Sequence, residues 1–308
     1  MIKSPDMRVT IAGVELRSPV IAASGTFGYG VEFEDILSLD KIGAFVTKGL
    51  SAEPMAGNPS PRIIETASGM MNAIGLQNVG VRAFIDEKLP KIRQIRGAVC
   101  IANVFGYTVE DCIEVVRALD QADGIAMYEL NASCTNTSHG GMVFGTDGMM
   151  LYDLVARIRR ETQRPIMVTL SPNVTNIGQM ARVAQDAGAD AVSLVNTFLA
   201  LSIDIETRKP RIANTTGGLS GPAIKPIAVR MVRETSRAVA IPVVGLGGII
   251  CAEDAVEFML AGAAAVQVGT ASYADPRAVE IIATGVRSWC RSHDVERVRD
   301  LTGAMLSA

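Results

Sequence analysis

Eight short runs of β-branched and apolar residues, each bounded by Gly, Pro or Asn, recur around positions 19–23, 44–48, 98–103, 125–130, 165–170, 191–195, 242–246 and 264–269. Runs of this length with little polar alternation read as strands buried on both faces, the pattern of a parallel sheet. Amphipathic helical periodicity over Val109–Leu119, Leu151–Glu161, Ile177–Ala187, Ile224–Val239 and Ala252–Ala261 separates several of them, giving the order strand, helix, strand. Parallel strands with crossover helices follow. Eight is the number that closes such a unit, so the expected fold is α/β, a single (β/α)8 TIM barrel spanning residues 1–308. A doubly wound open sheet is the rival, disfavoured by the strand count and by the lack of an early Gly-x-Gly-x-x-Gly.

The runs are unevenly spaced, with extra chain after the second, fourth and sixth, at about 49–90, 131–150 and 196–223. In a (β/α)8 barrel the strand-to-helix loops open at the C-terminal end, so three long polar insertions are expected to roof one pocket. The last two runs, Pro242 to Ile249 and Ala263 to Thr270, end in glycines, where a phosphate can approach backbone N–H groups. Lys plus Arg total 29 against 32 for Asp plus Glu, a net charge of −3 that argues against a nucleic-acid surface. Cys100, Cys112, Cys134, Cys251 and Cys290 show no Cys-x-x-Cys spacing, so no metal or iron–sulfur site is readable. The polar opening Met1 to Thr10 lacks the apolar core of a signal peptide or membrane anchor, and a reducing, cytoplasmic setting is expected.

The densest polar stretch, Leu130 to Gly141, directly follows the fourth run. Within it Cys134 is either a loop thiol without a role or a nucleophile or general base on the catalytic face. His139 reads most simply as a solvated loop residue. Asn72, Asn103, Asn131, Asn173 and Asn196 fall at predicted strand exits. Singly each is a turn former; together they suit a planar heterocycle rich in carbonyl and N–H groups. Lys48 ends the second run, where a pocket role competes with that of a surface lysine. Gly217 to Pro222 is either a turn or a second phosphate or flavin contact.

Asn131-Ala-Ser-Cys134, Gly69-Met-Met-Asn72-Ala-Ile-Gly75-Leu76-Gln77-Asn78, Thr207-Arg-Lys-Pro210 through Ser220-Gly-Pro222, and Gly245-Leu-Gly-Gly248 with Gln267-Val-Gly-Thr270 resemble the flavin-containing dihydroorotate dehydrogenases, in order and over nearly the whole chain. The likeness is nearest to the class 1B catalytic subunit. It implies FMN over the barrel mouth and a loop Cys that removes a proton from C5 of dihydroorotate while hydride leaves C6 for the flavin. Carried over by residue, it implies Cys134 as base, with Lys48, Asn72, Gly75, Leu76, Asn131, Asn136, Asn196 and Thr197 around the substrate. For FMN it implies Ala23, Ser24, Gly25, Lys48, Asn103, Asn131, Thr169, Gly221, Gly247, Gly248, Gly269 and Thr270.

The chain departs from that pattern at the site. Thr169 stands where the family has a Lys beside the flavin, Thr135 where it has Pro after the catalytic Cys, and Phe105 where it has a small residue, a change expected to narrow the pocket. The resemblance also implies a partner subunit carrying FAD and a [2Fe–2S] centre, around a homodimer core of a heterotetramer, with NAD as final acceptor. No stretch of this chain supplies such a cluster. Two other readings are a flavin oxidoreductase for a different dihydropyrimidine or related ring and a non-catalytic barrel subunit.

Overall fold

The computed structural model describes residues 4–132 and 144–307. At its centre eight parallel strands close into a barrel: β1 (Val20–Ala22), β2 (Ala44–Val46), β3 (Cys100–Val104), β4 (Met127–Asn131), β5 (Ile166–Thr169), β6 (Ala191–Leu194), β7 (Val243–Leu246) and β8 (Ala265–Val268). One strand falls in each expected run. The ring closes through Val266 beside Val20 and Val268 beside Ala22. Nearly every strand residue is buried, because side chains alternate between the barrel interior and the helical layer and neither face meets water.

The predicted helices are α1 (Val109–Asp120), α2 (Gly148–Glu161), α3 (Ile177–Asp186), α4 (Lys225–Ser236) and α5 (Ala252–Ala261). Side-chain caps define several starts. Thr108 and Asp111 form a reciprocal capping box on α1, Asp147 accepts from the N–H groups of Met149 and Met150 on α2, and Asn176 accepts from Gln179 on α3. Pro226 sits in the first turn of α4, where its missing N–H costs nothing. A further helix, α6 (Ala278–Ser292), packs on β1, next to the short 3₁₀ turn Leu39–Lys41. Among the described residues no helix is long and apolar enough to cross a membrane.

The insertions after β2 and β6 carry structure of their own. Strands Ile63–Thr66, Gly69–Asn72, Gly217–Ser220 and Phe198–Ala200 pair antiparallel, in that order, into a four-stranded sheet. Gly217–Ser220 is thus a strand rather than the turn open in the sequence, and only Gly221 beyond it has turn geometry, at φ 94°. The sheet closes over Met71, Ala73 and Ile212, with Ile64, Ala200 and Leu219 packed against them. The insertion after β4 lies largely in residues 133–143, outside the described residues.

The sheet needs close backbone approach. A Cβ on Gly69 would stand 2.0 Å from the carbonyl oxygen of Ser220, and one on Gly218 would stand 2.1 Å from Thr197 Oγ1. Gly69→Ala is therefore expected to cost about 1–3 kcal/mol through overpacking against backbone that cannot rotate away. A lowered thermal midpoint, with faster proteolytic nicking inside 62–72, is the expected result.

Candidate active site

A cavity opens at the C-terminal ends of the barrel strands, under the four-stranded sheet. Ala23, Ser24 and Gly25 reach it from the end of β1 and Lys48 from the end of β2. Asn103, Asn131 and Thr169 reach it from β3, β4 and β5, and Asn196 and Thr197 follow β6. Gly247 and Gly248 follow β7, Gly269 and Thr270 follow β8, and the insertions bring Asn72, Gly75, Leu76 and Gly221. Every described residue that the family resemblance assigns to substrate or flavin therefore lines this one cavity. Cys134 and Asn136 lie outside the described residues, as do Thr135 and His139.

Local chemistry holds these groups in place. Ser24 Oγ donates to the carbonyl of Thr47 at 2.7 Å, tying the exit of β1 to that of β2. Thr270 Oγ1 and Ser220 Oγ lie 2.9 Å apart and join the barrel rim to the sheet above it. Gly75 and Leu76 both take positive φ, 73° and 58°, and the turn is braced by Asn78, whose Nδ2 donates to the Leu76 carbonyl at 2.8 Å. A Cβ on Gly248 would stand 2.7 Å from the Gly221 carbonyl oxygen, so the cradle at the end of β7 exists only with glycine there. Asn173, grouped in the sequence with the strand-end amides, does not line the cavity. Its Nδ2 donates to the Thr197 carbonyl at 3.1 Å and its Oδ1 accepts from Leu199 N at 3.0 Å, bracing the start of the insertion after β6.

Beneath the cavity lies a polar cluster that the sequence did not announce. Glu129, 2% exposed in β4, accepts from Asn103 Nδ2 at 2.7 Å, from Gln267 Nε2 at 2.6 Å and from Ser193 Oγ at 3.3 Å. Ser193 Oγ in turn meets Thr169 Oγ1 at 2.8 Å. Burial pushes the Glu129 carboxyl above its ordinary range, while these hydrogen bonds pull the other way. The only signal in the sequence was an acidic residue inside an apolar run. Asn103 Oδ1 is buried with no hydrogen-bond partner among the described residues.

The sequence profile of the family described as "Dihydroorotate dehydrogenase" matches residues 6–289. The chain belongs to that family. It is 56% identical over 301 residues, 98% of this chain and 99% of the relative, to "Dihydroorotate dehydrogenase B (NAD(+)), catalytic subunit" of Pelobacter propionicus. A protein of the same name from Geotalea uraniireducens is 54% identical over 303 residues, 98% of this chain and 99% of the relative. The solved structure of DHODH from Eimeria tenella in complex with ferulenol superposes with a TM-score of 0.82, covering 97% of this chain and 88% of that one. At 21% identity that likeness speaks for the fold alone.

Against the pattern of the dihydroorotate dehydrogenase family, Thr169 is buried in the cavity wall and engaged with Ser193 rather than open to solvent. Phe105 does not narrow the cavity. It is buried outside the lining, edge-on to Tyr107 with ring centroids 5.1 Å apart. Among the described residues no group of three or more His, Cys, Asp or Glu is placed to hold a metal ion.

None of the four described cysteines lines the cavity. Cys100 and Cys112 are buried and their thiols are pushed up to about 12 by desolvation. Alkylation of the native protein at pH 8, followed by peptide mass spectrometry, is expected to leave both unmodified. Rapid modification of either in the folded protein would contradict the burial described.

Proposed function

We propose that this chain oxidises dihydroorotate to orotate in pyrimidine biosynthesis, as one FMN-binding barrel spanning residues 1–308, and passes the electrons to a partner subunit and then to NAD. The observation that carries the reading is the convergence on one cavity of every described residue that the family pattern assigns to flavin or substrate. FMN fits the donor set. Gly247, Gly248, Gly269 and Thr270 offer backbone N–H groups where a phosphate needs them, and the lone acceptor Asn103 Oδ1 suits a ring bearing an N–H donor. Ala23, Ser24, Gly25, Thr169 and Gly221 complete the proposed FMN contacts, shared in part by Lys48 and Asn131.

FMN, when bound, supplies the acceptor for the hydride that leaves C6 of the substrate. The chain's own part is binding, orientation and proton removal. Asn72, Asn131 and Asn196 line the cavity with amides that match the carbonyl and N–H edges of the dihydropyrimidine ring, with Thr197 among the lining, and the family pattern assigns Asn136 to the same task. Lys48 gives its ammonium to the anionic substrate, and the Gly75–Leu76 turn closes one side. Cys134 takes the proton from C5. The relatives from Pelobacter propionicus and Geotalea uraniireducens are named catalytic subunits, which supports a partner for this chain. We assign that partner FAD and a [2Fe–2S] centre around a homodimer core, and the cytoplasm as their setting.

Thr169 favours a second reading, in which a different dihydropyrimidine or related ring is the substrate. Anaerobic mixing of the purified protein with dihydroorotate separates the two: bleaching of the flavin absorbance supports the first and a spectrum that never changes supports the second. Heat is expected to release a flavin that co-migrates with FMN. Cys134→Ala is expected to retain FMN and substrate binding while slowing that bleaching by roughly 10²-fold or more at neutral pH. A wild-type rate in Cys134→Ala would remove Cys134 from the mechanism.

A further inference from the structure

Glu129 is the one carboxyl among the described residues that line the cavity, and at 2% exposure it lies within the barrel wall. The groups facing it from the packed strands are all neutral: Asn103 from β3, Thr169 from β5, Ser193 from β6 and Gln267 from β8. The other titratable side chains lining the same cavity are Lys48 and Tyr273, and the groups that act most on the Glu129 carboxyl are the four neutral ones. An ionised carboxyl in such surroundings carries a desolvation penalty of several kcal/mol that neutral donors only partly offset.

We propose that Glu129 enters the site uncharged and acts as a positioning residue, a neutral hydrogen-bond hub that turns the Asn103 acceptor towards the bound ring. The geometry gives each carboxyl oxygen a task. Oε1 accepts from Asn103 Nδ2, which commits that amide's NH₂ to the interior and leaves Oδ1 as the acceptor at the cavity wall. Oε2 accepts from Gln267 Nε2 at 2.6 Å and lies 3.3 Å from Ser193 Oγ; with the carboxyl protonated that second contact reverses, Ser193 accepting the acid proton and turning its own towards Thr169 Oγ1, 2.8 Å away. The oxidised isoalloxazine ring has a single ring N–H, the complement of a lone acceptor. An uncharged Glu129 also spares an anionic ligand a negative charge beneath it. The assignment of the ring rests on the flavin reading above; the protonation of Glu129 does not.

Two variants test the proposal. In the infrared spectrum of the cofactor-free protein at neutral pH, wild type is expected to show the carbonyl stretch of a protonated carboxyl that Glu129→Gln lacks. The sign of the stability effect follows from the raised proton affinity. The contribution of Glu129 to stability is fully present below the ordinary carboxyl value of 4.5 and is lost as pH rises through the raised folded-state value. The thermal midpoint of wild type should therefore fall relative to that of Glu129→Gln towards alkaline pH. In FMN titrations of the cofactor-free protein, Glu129→Gln, which is also uncharged and can accept from Asn103, should bind within about 3-fold of wild type. Glu129→Leu, which removes the hub, should bind about 10-fold or more weakly, the scale of one lost hydrogen bond.

Absence of the protonated-carboxyl signal overturns the proposal, and so does a Glu129→Gln affinity as poor as that of Glu129→Leu. A wild-type protein that binds no FMN overturns the flavin reading instead, and the infrared and pH arms still decide the charge on Glu129.

Discussion

The closed hydrogen-bonded ring of eight parallel strands is the constraint on which the rest of this structure depends. Each strand is paired on both sides, from β1 beside β2 round to β8 beside β1, so no edge is left to be capped or covered. Closure has a second consequence. Because all the strands run the same way, the residue that follows each one emerges on a single rim. Chemistry scattered from Ala23 to Thr270 in sequence is thereby gathered around one cavity. Rigid strands hold those side chains, so the site inherits the precision of the barrel.

The sheet above the rim depends on the barrel in turn. Its halves come from insertions after β2 and β6, and an isolated hairpin such as Ile63–Asn72 is marginal in water. Pairing Gly218 with Asn72 and Ser220 with Met70 gives the hairpin a third strand and lets Met71, Ala73 and Ile212 bury one another. The barrel sets the distance between the two insertions. The Thr270–Ser220 contact and the close approach of Gly248 to Gly221 then fix the sheet to the rim. Cavity-lining residues of the sheet such as Asn72 and of the barrel rim such as Gly248 thus share one frame.

What the sequence disclosed follows from this architecture. Parallel strands buried on both faces leave unbroken apolar runs, so β1 to β8 and the helices α1 to α5 were legible from pattern alone. Glycines at strand ends, as at Gly247 and Gly269, marked the rim where backbone lines the cavity. The second sheet was not legible, since its strands are short and alternate in exposure, as over Ile63–Thr66, and Gly217–Gly218 has little intrinsic strand preference. Its central pairing also joins positions more than 140 residues apart, which no local pattern encodes. Glu129 escaped notice for a related reason. An acid within an apolar run has no local partner in sequence, and its partners come from four other strands.

That cluster changes how Thr169 is to be understood. From the sequence, threonine where the family has lysine reads as a cation lost beside the flavin. In the structure Thr169 belongs to the hydrogen-bonded group around Glu129. A lysine at this position would place an ammonium against a buried carboxyl and draw the proton from it, giving an ion pair of zero net charge. Threonine with a protonated Glu129 has the same net charge and avoids the desolvation of two ions. The two arrangements differ in polarity rather than in charge. The departure at position 169 therefore leaves the electrostatic balance of the cavity floor intact, provided that the carboxyl keeps its proton.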